Sequence, residues 1–278
     1  MAISVADILA RCELEYGGVS RWSERIPEER PGVYLVSSSP DPRDTIGNIP
    51  EYSPDMDSLS RLKELLPTVS VDGSPATERD LATRLGRFWI PDTPILYIGL
   101  AGTSLRSRVR QYYSTQIGAR SPHAGGWWLK TLVQLDQLHV HYAATDKPKA
   151  MEQQLLDSFA GSVSTEQRNR LFDRDRIAPF ANVNVRPGLG KRHGLKNYKM
   201  PRISSNITQE QPTENSSQVS VETATIQSTG LAAAQVLTVT SQRVTANDLQ
   251  TGVLRLPKGS DHAFPKKIQT SQSSFVVN

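Results

Sequence analysis

Apolar residues recur along the chain at two periods, and their alternation predicts a mixed domain of helices and short strands. Ile3, Val5, Ile8, Leu9 and Cys12 fall at helical spacing, with Ser4 or Asp7 as a start signal, so residues 3–15 read as a helix. Residues 31–37 and 94–99 are apolar runs bounded by proline or glycine and read as strands. Residues 138–144 alternate and read as a third strand. Helices are expected at 57–66, ending before Pro67, and at 77–86, where Thr77 and Asp80 have capping-box spacing. Further helices are expected at 104–116 behind Thr103 or Ser104, at 124–135, at 148–160 with Pro148 in the first turn, and at 164–172. Residues 38–54, rich in Pro, Asp, Ser and Gly, read as loop, and 179–184 as extended. Trp127 and Trp128 cannot both face the core from one α-helix, so one of them is expected to stack on a partner or cover a neighbour.

The pattern changes near residue 203. Ser, Thr, Gln and Asn dominate 203–233, which reads as a polar flexible linker. Two strand-like runs follow, at 236–241 and 253–257, too little for an independent β domain. The expected organisation is a folded domain over 1–200, the linker, and a partial β-rich segment over 234–278. Residues 244–257 faintly resemble the opening of the DNA-binding pseudobarrel domains attached to some restriction nucleases. The chain is therefore expected to stop inside such a domain, through truncation or a frameshift, or to end in a disordered tail.

Composition agrees with a folded part diluted by a polar part: 37% of the 278 residues are hydrophobic, and the mean hydropathy is −0.42. No run is long and apolar enough for a membrane span, and the N-terminus lacks the pattern of a secretory signal. The single cysteine, Cys12, excludes an intrachain disulfide and a cysteine-based zinc site, so the cytoplasm is the expected compartment. Net charge is only +4, but its distribution is uneven. Arg106, Arg108, Arg110 and Arg120 form one cluster, and Arg186, Lys191, Arg192, Lys196, Lys199 and Arg202 form another. Such clusters suit a phosphate backbone as well as a solvated face.

Two motifs carry the chemistry: Gly32-Val33-Tyr34 and Tyr97-Ile98-Gly99, each on an expected strand. The second leads to Leu105-x-x-Arg108 on the following helix. Tyr112 is one turn beyond, Glu152 is on the helix after the third strand, and Pro179-x-x-Asn182 closes the domain. This order resembles the GIY-YIG nuclease family. The resemblance implies an α+β fold: a small three-stranded antiparallel sheet flanked by helices, with the two tyrosines on its first two strands. It implies Tyr34, Tyr97, Arg108, Tyr112, Glu152 and Asn182 as the site. Glu152 would hold Mg²⁺ or Mn²⁺, Tyr34 would act as base or position water, Arg108 would hold the scissile phosphate, and Asn182 would orient the site. The chain departs from the family's pattern in two places. The tyrosines are separated by 62 residues (35–96), which implies an insertion over 37–93, as in the restriction-endonuclease branch. Leu100 stands where several relatives have a basic residue.

Each position has rivals: Arg106 or Arg110 for the phosphate, Glu166 for the metal, Asn184 for Asn182. His139 and His141 share a strand face but lack a third ligand, which favours a structural role. His123-Ala-Gly-Gly-Trp-Trp could form a DNA-contacting loop, and the stretch 188–194 a flexible basic segment on the DNA backbone. The expected function is metal-dependent hydrolysis of double-stranded DNA by a restriction-type endonuclease. That role leaves a homodimer open and calls for a methyltransferase as functional partner. The alternative is a DNA-binding protein with a nuclease-like fold and little activity.

Overall fold

The computed structural model describes residues 2–123 and 125–200. The expected linker and partial β segment, and Arg202, lie outside the described residues. In chain order the helices are α1 (Val5–Arg11), α2 (Met56–Leu65), α3 (Glu78–Gly86), α4 (Leu105–Ser114), α5 (Pro148–Ser162) and α6 (Thr165–Arg170). The strands are β1 (Gly18–Arg21), β2 (Gly32–Ser37), β3 (Ser70–Val71), β4 (Ser74–Pro75), β5 (Ile95–Ala101), β6 (His139–Ala144), β7 (Asn184–Arg186), β8 (Leu189–Gly190) and β9 (Leu195–Lys196). The fold is mixed α+β.

The central sheet is antiparallel and has the order β1-β6-β2-β5. It has four strands where the resemblance implies three. The additional strand, β1, is half-exposed along its length and has no apolar alternation of its own, so only its pairing with β6 reveals it. In β2 the side chains alternate between two cores. Tyr34 and Val36 join one cluster, while Val33 and Leu35 join the other. Because both faces are covered, all of β2 is buried. Helices α1 and α5 pack their apolar stripes on the Val33–Leu35 face through Val5, Ile8, Leu9, Leu155, Leu156 and Phe159. Helix α4 packs Leu105, Val109 and Tyr112 on the tyrosine face.

The insertion completes the tyrosine face. Leu59, Leu62, Leu81, Leu85, Phe88 and Trp89 share one core with Tyr34, Tyr97 and Tyr112. Asp55 caps α2, and Thr77 with Asp80 forms a capping box on α3. Strand β3 then pairs with β9, tying the insertion to the end of the domain.

Three local expectations change. The span 124–135 is not an α-helix; it holds two 3₁₀ turns, Trp127–Thr131 and Leu135–Gln137. In that geometry both tryptophans are buried, and Trp127 stacks on Tyr198 within the domain at 5.7 Å. Lys191 is not part of a flexible basic segment: it is buried and donates to the carbonyls of Pro179 and Phe180. His141 is buried against Tyr16 and the Ser39 carbonyl, as suits a structural histidine. No helix among the described residues is long and apolar enough to cross a membrane.

Strand β5 is the last in the sheet order, and Asn182 closes its outer side. The Ile98 N–H donates to the Asn182 side-chain oxygen at 2.8 Å, and the Asn182 amide donates to the Ile98 carbonyl at 2.8 Å. One carboxamide thus replaces one residue of a neighbouring strand. Asn182→Ala leaves two buried backbone groups unpaired, at about 1–3 kcal/mol each. It should lower the unfolding free energy by about 2–4 kcal/mol in urea titration, whereas exposed Asn184→Ala should stay within about 0.5 kcal/mol of wild type.

Candidate active site

The register of the sheet builds the centre of the site. Tyr34 on β2 faces Gly99 on β5 across the strand pair. A Cβ at residue 99 would stand 2.6 Å from Tyr34 Cζ, 2.7 Å from its hydroxyl and 2.8 Å from Tyr97 Cε1, so only glycine lets the two rings share this space. The ring centroids of Tyr34 and Tyr97 are 5.9 Å apart, and Tyr112 from α4 lies 5.3 Å from Tyr97. Gly126, in a left-handed conformation at φ 65°, turns the chain over these rings and accepts the Tyr112 hydroxyl proton at 2.6 Å.

A cleft of about 410 Å³ opens beside this cluster, lined by Tyr97, Gly126, Glu152, Asn182, Asn184 and Lys199 among others. It draws on both sides of the sheet at the β5 edge. Tyr97 comes from the tyrosine face, and Glu152 from α5 on the opposite face, one turn before Leu156. Burial pushes the Glu152 carboxyl up to about 7, and Arg108 pulls the other way. Burial likewise raises the Tyr34, Tyr97 and Tyr112 phenols well above their ordinary range, with Arg108 opposing the shift at Tyr34 and Tyr97.

Arg108 is the arginine that faces this centre. Its Nη1 donates to the Pro122 carbonyl at 3.0 Å and to Gln111 Oε1 at 3.3 Å. Its rivals are placed elsewhere: Arg106 is paired with Glu29 and donates to the Ile26 carbonyl, and Arg110 is exposed. Glu166 is exposed on α6 and paired with Arg170, outside the cleft. The structure therefore brings Tyr34, Tyr97, Arg108, Tyr112, Glu152 and Asn182 together and leaves Arg106, Arg110 and Glu166 outside.

Two of the expected roles do not fit this geometry. Tyr34 is wholly buried and does not line the cleft, so it cannot itself hold water there; Tyr97 is the phenol at the cleft wall. Tyr112 is also wholly buried, with its proton given to Gly126, and serves as a packing surface.

His123 belongs to the cluster, and sequence reasoning placed it only in a DNA-contacting loop. It is buried, its backbone N–H donates to Thr115 Oγ1, and its ring stacks on Tyr112 at 4.2 Å and 12°. Its Nε2 lies 2.7 Å from the Tyr34 hydroxyl. A histidine in an aperiodic loop gives no pattern to read; only the adjacent Gly125-Gly126 pair hints at a close approach of backbone to side chains.

Among the described residues no group of three or more His, Cys, Asp or Glu side chains could hold a metal. Glu152 is nonetheless suited to one kind of ion. It is a half-buried carboxyl at the cleft wall whose charged form burial disfavours and Arg108 favours, and a further cation in the cleft would favour that form more. A hard divalent ion that keeps most of its water and takes one carboxylate oxygen fits such a donor.

The raised Glu152 value has a signed consequence for stability. The carboxyl ionises at 4.5 in an ordinary setting and at about 7 in the fold, so ionisation costs the folded state. Without divalent ions, Glu152→Gln should match wild type at pH 4. It should then become progressively more stable than wild type as pH rises from 4.5 to about 7, and keep that lead above. Thermal unfolding across this range would show it; a pH-independent difference would contradict the placement of Glu152.

No protein-family model matches the chain, and neither a curated protein nor a solved structure shows significant similarity to it.

Proposed function

We propose that the chain is a metal-dependent endonuclease of restriction type that hydrolyses phosphodiester bonds in double-stranded DNA. The observation that carries this reading is that Tyr97 of β5 and Glu152 of α5 line one cleft, with Arg108 of α4 near enough for its charge to act on both. The GIY-YIG resemblance supports it. Its two tyrosines lie on adjacent antiparallel strands, β2 and β5, with β6 as the third strand, its arginine on α4 and its glutamate on α5.

Each residue has a chemical task. Arg108 presents a planar, always-charged group to a phosphate and offsets charge that builds on its oxygens. Tyr97, at the cleft wall, positions the attacking water by accepting a hydrogen bond from it at the phenol oxygen. Asn182 holds β5 in place so that Tyr97 keeps that position. Glu152 would hold Mg²⁺ or Mn²⁺, and the ion would stabilise negative charge on the phosphoryl group. Exposed Arg186 and half-buried Lys199, both lining the cleft, add positive charge for a nucleic-acid backbone there. The methyltransferase expected of a restriction system would act on the same DNA without any need for contact.

Digestion of plasmid DNA tests the reading. Wild type should give discrete fragments in Mg²⁺ and none in EDTA. Glu152→Gln should abolish cutting yet retain salt-dependent binding, and Arg108→Ala should slow it by about 10²–10³-fold. Undiminished cutting by Glu152→Gln would refute the site. Wild type that binds DNA but cuts nothing would leave a DNA-binding protein with a nuclease-like fold.

A further inference from the structure

Strand β7 forms one wall of the cleft, and its residues alternate. Asn184 and Arg186 are exposed and line the cleft, whereas half-buried Val185 between them packs against the core that α5 covers. Strand β8 pairs back on β7 after a tight turn at Pro187-Gly188, where Gly188 takes a φ of 76°. Beyond its chain neighbours, no heavy atom lies within 4 Å of where a Gly188 Cβ would stand. The turn of this two-stranded ribbon therefore stands clear of the rest of the domain.

Helix α5 holds the ribbon in place. Gln153 Nε2 donates to the Val185 carbonyl at 3.3 Å and to Asp157 Oδ1 at 3.1 Å. Arg186 Nη2 donates to the same Asp157 oxygen at 3.1 Å. The side chains of Arg186 and Asp157 are 62% and 49% exposed, and an ion pair so exposed adds little to folding. Its consequence is geometric: it fixes the direction of a long side chain that would otherwise sample many rotamers. Asp157 takes one Nη2 hydrogen. Whichever hydrogen that is, one two-donor edge of the guanidinium stays whole, either Nη1 with Nη2 or Nε with Nη2.

The two cations of the cleft wall thus differ in kind. Among the described residues no carboxylate offsets the half-buried Lys199 ammonium, a point charge suited to a phosphate. Arg186 already has a carboxylate against it. A phosphate brought to Arg186 would meet the repulsion of Asp157, whereas the neutral edge of a base would not. Guanine offers two acceptors, O6 and N7, at the spacing of a guanidinium edge, and the major groove, about 12 Å wide, admits a two-stranded ribbon.

We propose that the β7–β8 ribbon enters the major groove beside the cleft, that Arg186 reads a guanine there, and that Asp157 is the positioning residue that aims it. Lys199 takes a backbone phosphate. This rests on the reading of the cleft as a site for double-stranded DNA.

Binding of the full chain to a randomised duplex library, with Ca²⁺ in place of Mg²⁺, tests it. Wild type should select guanine at one position, by about 5–150-fold over the other bases. Arg186→Ala should lose that selection and keep the selection at other positions. Arg186→Lys, which keeps the charge without the fork, should lose it too. Asp157→Asn should weaken selection at the same position while holding non-specific DNA as tightly as wild type or more so. Lys199→Ala should weaken all sequences alike and lower the salt dependence by about one phosphate. Arg186 and Asp157 are exposed, so their variants should fold. Equal weakening of every sequence by Arg186→Ala, or selection retained in Arg186→Lys, overturns base reading by Arg186. Unchanged selection in Asp157→Asn overturns the positioning role. Wild type that selects guanine through Arg186 yet cuts no DNA would overturn the nuclease reading and leave base reading standing. Wild type that cuts DNA with no base preference would do the reverse, and wild type that binds no DNA would overturn both.

Discussion

Tyr34, Tyr112 and His123, buried beside Tyr97 on one face of the sheet, must satisfy their polar atoms without water, and much of the domain is arranged around that requirement. Tyr112 spends its proton on the Gly126 carbonyl and Tyr34 meets His123. His123 is held in turn by Gly125 and by Thr115, next to the end of α4. The glycines are part of the same solution. Gly99 leaves room for two rings at the strand pair, and Gly126 lets the backbone reach a hydroxyl. Lys130 extends the network by donating to the carbonyls of Tyr112, Tyr113 and Thr115 at the end of α4.

A rigid cluster of this kind needs a cover, and the insertion supplies it. Its leucines and aromatic residues form one core with the tyrosines. Its apolar faces are committed to packing. The cleft lies at the outer edge of β5. There Asn182 supplies the hydrogen bonds of a missing strand, and Glu152 reaches in from the far face. An under-solvated carboxylate facing a guanidinium and a phenol is a costly arrangement for stability and a useful one for binding cations and phosphate.

Elements with their own period were legible in the chain. α3 with its capping box, α4 and α5, and the strands carrying Tyr34 and Tyr97 fall where spacing puts them, because local propensity and burial agree. Strand β1 was not legible, since its pairing partner, not its sequence, makes it a strand. The Trp127–Trp128 segment misled because apolar density suggested a helix, whereas glycines on its N-terminal side allow a tighter turn that buries both rings. Of the site, Arg108, Glu152 and Asn182 could be ordered along the sequence, but choosing them over Arg106, Glu166 and Asn184 required burial and partners. The exchange of prominence between Tyr34 and Tyr97 could not be read either. Alternation puts both on one face but does not say which lies nearer the opening.

The account stands on the cleft at the β5 edge being where metal and phosphate meet. Anomalous diffraction from crystals of the full chain with Mn²⁺ and a DNA duplex addresses this directly. The account predicts a manganese peak bonded to the Glu152 carboxylate, with a backbone phosphate between it and Arg108. A manganese ion bound elsewhere, or DNA lying on a face away from the cleft, would contradict it.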